Sequence, residues 1–204
     1  FYQNGIRINP DHNKTLKQLL TFGLLCSNAT IEKEQNHKKS SYKLLGDPTE
    51  GALVVAAIKA GIDPAIKQRD FRIIHEYPFD SDRKMMSVVI EDRNRRRYVV
   101  TKGAPDVLLA NSSRILVNGK QELINPVLKQ RVNRATEQLA EKALRTIAVA
   151  YKPLSNSVIP AHELEAERDL TFVGIEGMID PPRPEVKEAI KSCQEAGIKT
   201  VMIT

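Results

Sequence analysis

Residues 85–108 read MMSVVIEDRNRRRYVVTKGAPDVL. Two runs rich in apolar and β-branched residues, Met85–Glu91 and Arg97–Thr101, flank a charged segment. That pattern predicts the two strands of an antiparallel hairpin. The second strand ends on Lys102-Gly103, and Pro105 then opens a helix, because proline suits the first helical position. With a tip made of Asp92, Arg93 and Asn94, Lys84 and Lys102 stand directly opposite each other on one face. A one-residue slip would send them to opposite faces. The sequence leaves that register open.

Working outward, Phe71–Tyr77 reads as a further strand. Arg114–Val117 and Lys120–Ile124 flank Asn118-Gly119, a pair that favours the tight turn of a hairpin. Thr146–Tyr151 and Leu170–Ile175 add two more strands. Leu16, Leu19, Leu20, Leu24 and Leu25 form a helical stripe within residues 15–27. Asp47-Pro48 starts a helix that Gly61 stops, and Asp63-Pro64 starts a short one. Asn125-Pro126 begins a long helix to about Ala143, with Leu128, Val132, Ala135 and Leu139 on one face. A short helix falls near 161–168, and the polar stretch 32–43 reads as loop. Strands met in adjacent hairpins, with helices between the groups, predict an α+β fold: an antiparallel twisted sheet flanked by helices. Asp180-Pro181-Pro182-Arg183-Pro184 is a stiff joint. Beyond it come a helix over 185–196, a stop at Gly197 and a strand over 199–203. Residues 1–179 are therefore expected to form one domain, and 180–204 a short αβ piece of another.

The chain has 204 residues, 41% hydrophobic and 27% charged, ordinary proportions for a globular protein. Its net charge of +6 suits anionic partners without selecting one. Cys26 and Cys193 show no CxxC spacing, which points to a reducing compartment. His12, His37, His75 and His162 lack metal-ligand spacing, so no metal site is expected. No apolar run reaches the roughly 18–20 residues that span a bilayer. The ends, FYQNGIRINP and VMIT, read as cut from something longer. There is no GxxxxGK[ST] and no GxGxxG, so any nucleotide is held without a glycine-rich phosphate loop.

Several side chains carry two readings. Lys84 and Lys102, if adjacent, repel unless an anion lies between them, which suggests a polyphosphate contact; otherwise both are solvated. Phe79, in YPFDSDRK, is either a core residue or a ring at a rim, able to stack on a base. Glu50 completes a capping box with Asp47, or accepts a hydrogen bond from an exocyclic amine. Arg145 is a helix C-terminal cation or a phosphate contact. Arg93–Arg97 is a solvated tip or a nucleic-acid patch.

Six stretches occur in one order: GDPTEGAL (46–53), PFDSDRKMMSV (78–88), TKGAPDVLL (101–109), ALRTIAVAY (143–151), GMIDPPRPEV (177–186) and VMIT (201–204). Together they resemble the nucleotide-binding domain of type II P-type cation-transporting ATPases, the calcium-pump-like group, of bacterial type. The resemblance implies that Phe79 stacks on adenine and that Glu50 is an adenine-side polar contact. It implies that Lys84 and Lys102 line the pocket, that Met86 walls it, that Gly103 lets the ligand come close and that Arg145 reaches the phosphates. Asp180 and Arg183 match the hinge to the phosphorylation domain. Thr204 matches the first residue of that domain's Thr-Gly-Asp motif. Ser81 departs from the arginine that animal calcium pumps often carry there. DKTG is absent from this chain, so no catalytic residue is expected in it.

The implied function is to hold ATP with Mg2+ and present the γ-phosphate to an aspartate elsewhere in a cation pump, with calcium the expected ion. The implied setting is the cytoplasmic side of an integral membrane protein. The implied partners are the pump's phosphorylation, actuator and membrane domains. The fragment is expected to be monomeric and to bind ATP without turnover. A basic nucleic-acid-binding module, or a protein-interaction module, is the alternative.

Overall fold

The computed structural model describes residues 1–3, 6–36, 39–155, 158–180 and 183–201. A small ribbon, β1 (Tyr2–Gln3) with β2 (Ile6–Arg7), precedes a 3-10 turn at Pro10–His12. Helix α1 (Lys14–Leu25) follows, capped by Asn13, whose side chain accepts from the Leu16 amide at 3.0 Å. Next come β3 (Thr30–Asn36), β4 (Lys39–Leu45), α2 (Pro48–Lys59), α3 (Ile66–Arg69), β5 (Phe71–Asp80), β6 (Met85–Asp92) and β7 (Arg97–Gly103). The chain continues through α4 (Pro105–Ala110), β8 (Ser112–Val117), β9 (Lys120–Leu123), α5 (Pro126–Ala140) and β10 (Arg145–Leu154). It ends with α6 (Glu163–Ala166), β11 (Leu170–Met178) and α7 (Val186–Glu195).

Seven strands form one sheet in the order β5-β6-β7-β10-β11-β8-β9. The expected α+β architecture, an antiparallel sheet flanked by helices, is what the chain adopts. One pair, β11 with β8, is parallel. The hairpin β10–β11 enters between β7 and β8, so β11 meets β8 running in the same direction. Period-2 alternation divides the core. Met86, Val88, Ile90, Val100 and Val149 pack under α1 and α2, with Leu20, Leu24, Val54 and Ala57. Met85, Ala148 and Phe172 pack on the other side, with Leu108 of α4 and Val132 of α5. Both faces of β6 are covered, so its residues are buried on both sides and its apolar residues do not alternate with exposed polar ones; the Ser87 hydroxyl within it is hydrogen-bonded. Among the described residues, no helix is long and apolar enough to cross a membrane.

The structure departs from the sequence expectations in four places. Residues 32–43 are not loop: β3 and β4 pair from Thr30↔Leu45 to Asn36↔Lys39. This ribbon is separate from the main sheet; its base, Ile31↔Leu44, packs on the core and on α2, and beyond it the strands carry opposed charges such as Glu32↔Lys43. The β6–β7 register differs by two residues from the expected one: Met86, not Lys84, faces Lys102. The tip is Arg93-Asn94-Arg95, closed by the Arg95 amide donating to Asp92 O at 3.0 Å, with Arg95 left-handed at φ 62. Helix α5 ends at Ala140, and Ala143 is already left-handed at φ 56. The strand expected over 199–203 is not formed in its described part, 199–201, where no neighbouring strand offers a ladder. Pro181, Pro182 and Thr204 lie outside the described residues.

Candidate functional site

Strand register brings the candidate residues to one end of the sheet. Asp80 of β5, Met85 of β6, Gly103 of β7 and Ala148 of β10 form one row across four strands. Met86, Lys102 and Val149 form the next row, on the face covered by α1 and α2. Gly103 is needed here for the protein's own packing: a Cβ would lie 2.3 Å from Lys84 O and 2.9 Å from a Leu108 methyl.

Lys102 is 6% exposed, and its ammonium is paired with Glu50 Oε1. The pairing explains how a lysine survives inside, since an unpaired buried charge is expensive. Glu50 comes from the first turn of α2. Asp47 caps that helix, its Oδ1 accepting from the amides of Thr49 at 2.7 Å and Glu50 at 3.2 Å. The Thr49 hydroxyl and these amides hold the Asp47 carboxyl below its usual range. Glu50 does not complete a capping box. Its Oε2 crosses to the turn after α1, accepting from the amides of Asn28 at 2.7 Å and Ala29 at 3.0 Å. One carboxylate thus joins α1, α2 and β7. Beneath it Cys26 is fully buried, and burial pushes its thiol up to about 12.

Phe79 is 63% exposed, at the end of β5 where a bulge between Tyr77 and Asp80 lifts the strand off its register. The core reading of Phe79 therefore fails and the rim reading holds. Asp80 then builds a tight turn. Its Oδ1 accepts from the amides of Asp82 (3.0 Å) and Arg83 (2.8 Å), and its carbonyl accepts from Lys84 at 2.7 Å. The Arg83 amide leads the contacts that lower the Asp80 pKa. Lys84 is exposed and left-handed, at φ 54, and its carbonyl accepts from the Ala104 amide at 3.1 Å. Lys84 and Lys102 are consequently not a facing pair, and the charge beside Lys102 is a carboxylate. Arg145 is exposed at the start of β10, near enough to Asp47 to lower its pKa slightly.

Behind the turn lies a network the sequence did not suggest. Arg83 reaches Pro78 O at 2.7 Å and both oxygens of Glu167 at 2.5–2.6 Å. Glu167 is 1% exposed and also accepts from Ser87 Oγ at 2.8 Å, which in turn contacts Thr101 Oγ1 at 2.9 Å. In sequence Glu167 sits in ELEAERD, where every charge reads as solvated. Its only signal was its place just after a short helix.

The basic tip is largely neutralised locally, with Arg95 left 86% exposed at 3.8 Å from Glu91. Arg93 pairs with Asp70 at 2.7 Å, Arg96 with Asp92 at 2.7 Å and Arg97 with Glu91 at 2.8 Å. It offers no open cationic stripe to a phosphate backbone. A groove of about 430 Å3 between α1, α5 and β11 is lined by Leu16, Leu19, Val132, Leu139 and Phe172, and holds none of the candidate residues. The exposed ring and the convergent charges lie instead at the β5–β7 end, and chemistry favours that end.

These features define an α+β domain whose candidate site is built from strand ends and a helix start rather than a glycine-rich loop. The family model described as P-type ATPase, cytoplasmic domain N matches residues 15–185, and the chain belongs to that family. It is 50% identical over 204 residues to a calcium-transporting ATPase of Bacillus subtilis, covering 100% of this chain and 22% of that protein. It is 39% identical over 193 residues to calcium-transporting ATPase 1 of Bacillus cereus, covering 95% and 20%. To calcium-transporting ATPase 1 of Lactococcus lactis it is 38% identical over 188 residues, covering 92% and 20%. The chain thus spans about a fifth of the length of these relatives.

Proposed function

We propose that this chain is the ATP-binding domain of a P-type cation pump, with calcium, the ion its relatives are named for, as the cargo. The observation that carries the reading is the Phe79 ring, 63% exposed beside the Met86–Lys102 row. A large apolar ring left in water at a strand end is suited to stacking on a base. In this reading adenine lies on Phe79 with Met86 as a wall. Glu50, held by Lys102, faces the exocyclic amine side, and Gly103 keeps the strand end open. Lys84 and Arg145 supply exposed cations for the phosphates. Mg2+ would come with the triphosphate and would neutralise part of its charge; no residue of this chain is assigned to hold it.

The chain's work is positioning and charge neutralisation, which dominate phosphoryl transfer. The accepting aspartate belongs to the phosphorylation domain of the whole pump, reached through a hinge at Asp180 and Arg183. Residues 1–179 form the nucleotide-binding unit. Residues 180–204, with Thr204 at their end, belong to the phosphorylation domain. The actuator and membrane domains are the remaining partners, and the unit sits on the cytoplasmic side.

An ATP titration followed by NMR on wild type and Phe79→Ala tests this. The expected result is weak saturable binding to wild type, much reduced in the variant, with no turnover. Absent binding, or equal binding in the variant, overturns the adenine site. Sustained hydrolysis by the pure chain overturns the non-catalytic assignment.

A further inference from the structure

We infer that Glu167 is a positioning residue for the nucleotide site: it aims the Phe79–Lys84 turn through Arg83 from the opposite face of the sheet. The inference rests on the ATP-site reading above and adds a component to it. The turn has little packing of its own, since Phe79, Asp80, Ser81, Asp82 and Lys84 are all exposed. A chain segment so solvated has few contacts to define one conformation. Arg83 is the exception, with its side chain 19% exposed. Its guanidinium spans the base of the turn, holding Pro78 O with one nitrogen and the Glu167 carboxylate with the other.

Arginine suits this because its planar fork fixes direction as well as distance. Glu167 is itself well held. It is buried, it follows α6, and its amide donates to Glu163 O at 2.8 Å. Ser87 Oγ donates to it from the sheet side, and Thr101 Oγ1 backs Ser87. The excursion between β10 and β11 is fastened to β5 a second time, by Tyr77 Oη donating to Pro160 O at 2.5 Å. The Glu167 side chain and the Pro160 carbonyl, from a segment far along the chain, therefore fasten the turn on which Phe79 and Lys84 stand and the strand that leads into it. Burial works against the Arg83 charge, and Glu167, with Glu163 and Asp80 nearby, together outweigh it, so the guanidinium stays protonated. Glu167 touches no ligand in this account. It acts only by fixing where the ring and the ammonium point.

The test combines ATP titration of Glu167→Gln, Phe79→Ala and the double variant with amide hydrogen exchange at Asp82, Arg83 and Lys84 in the absence of ATP. Glu167→Gln is expected to speed exchange at those amides and to weaken ATP binding about tenfold, the scale of one lost well-made contact. In the Phe79→Ala background the further loss should shrink to about twofold, because residues acting through one another are not additive. Equal losses in both backgrounds, or wild-type affinity in Glu167→Gln, overturn the inference. Unchanged exchange overturns it independently of ATP. A wild type that binds no ATP overturns the site reading instead, and the exchange result still judges the grip on the turn. Should Glu167→Gln not fold, Arg83→Lys keeps the charge facing Glu167 but loses the fork to Pro78, and the same outcomes apply.

Discussion

At the scale of single residues, the sequence marked Lys102 as unusual but not its partner, because Glu50 lies 52 positions away and was already explained by a helix start. Glu176 went unmarked for a similar reason: one acid in an apolar strand gives no hint of its depth. It stands on β11 opposite Ile147, on the face under α1 and α2. Its Oε1 is buried without a hydrogen-bond partner among the described residues, and a Cβ on Gly23 would lie 2.7 Å from it. Burial pushes its carboxyl up to about 8, from an ordinary 4.5. The folded state then binds more protons than the unfolded state between those values. The stability from this group is fully present below 4.5 and is lost as pH rises through about 8. Glu176→Gln stays neutral throughout. Its stability should match wild type near pH 4 and exceed it by several kcal/mol near pH 8.5. Urea unfolding at the two pH values checks this. A variant whose pH dependence parallels wild type would show that Glu176 ionises normally.

At the scale of elements, the hairpins and caps were legible because their signals are local. Asn118-Gly119 turns with both residues left-handed, at φ 50 and 80, and Asp47 caps as its side-chain chemistry requires. The β6–β7 strands were legible too, but not their tip. RNRRR contains no glycine to mark the left-handed position, and Arg95 takes it at φ 62. An L-residue there costs about 1 kcal/mol or more. What Arg95 offers in return is a 3.8 Å contact with Glu91 from a side chain 86% exposed, and exposed pairs contribute little. Glu91 keeps Arg97 at 2.8 Å in any case. Arg95→Gly is therefore expected to stabilise the chain by about 0.5 kcal/mol, the relief of strain offset in part by a looser unfolded state. The measurement is the urea midpoint at unchanged slope. A lower midpoint would mean that the Arg95 side chain holds the tip more firmly than its exposure implies. The β3–β4 ribbon escaped notice because periodicity reports burial, and only its base, at Ile31, packs against the core.

At the scale of the molecule, strand order was not readable. The insertion of β10 and β11 between β7 and β8 is a long-range pairing without a local signature, and so is the Arg83–Glu167 contact it makes possible. The boundary proposed at Asp180 rests on a change in composition, and the packing of the helix beyond it offers a test. Helix α7 contains no buried residue, and Val186 and Ile190 on it are 36% and 40% exposed. A helix that buries nothing adds little to a fold, since most helical stability in proteins comes from packing an apolar face. The three core clusters draw only on residues between Leu16 and Ile175. A chain ending at residue 179 should therefore melt within about 2 °C of the 204-residue chain and bind ATP equally well, because on the order of 1 kcal/mol shifts a domain of this size by only a few degrees. Thermal unfolding and an ATP titration on the two chains decide it. A drop of several degrees would place α7 inside the cooperative unit, and the domain boundary would then have to move past it.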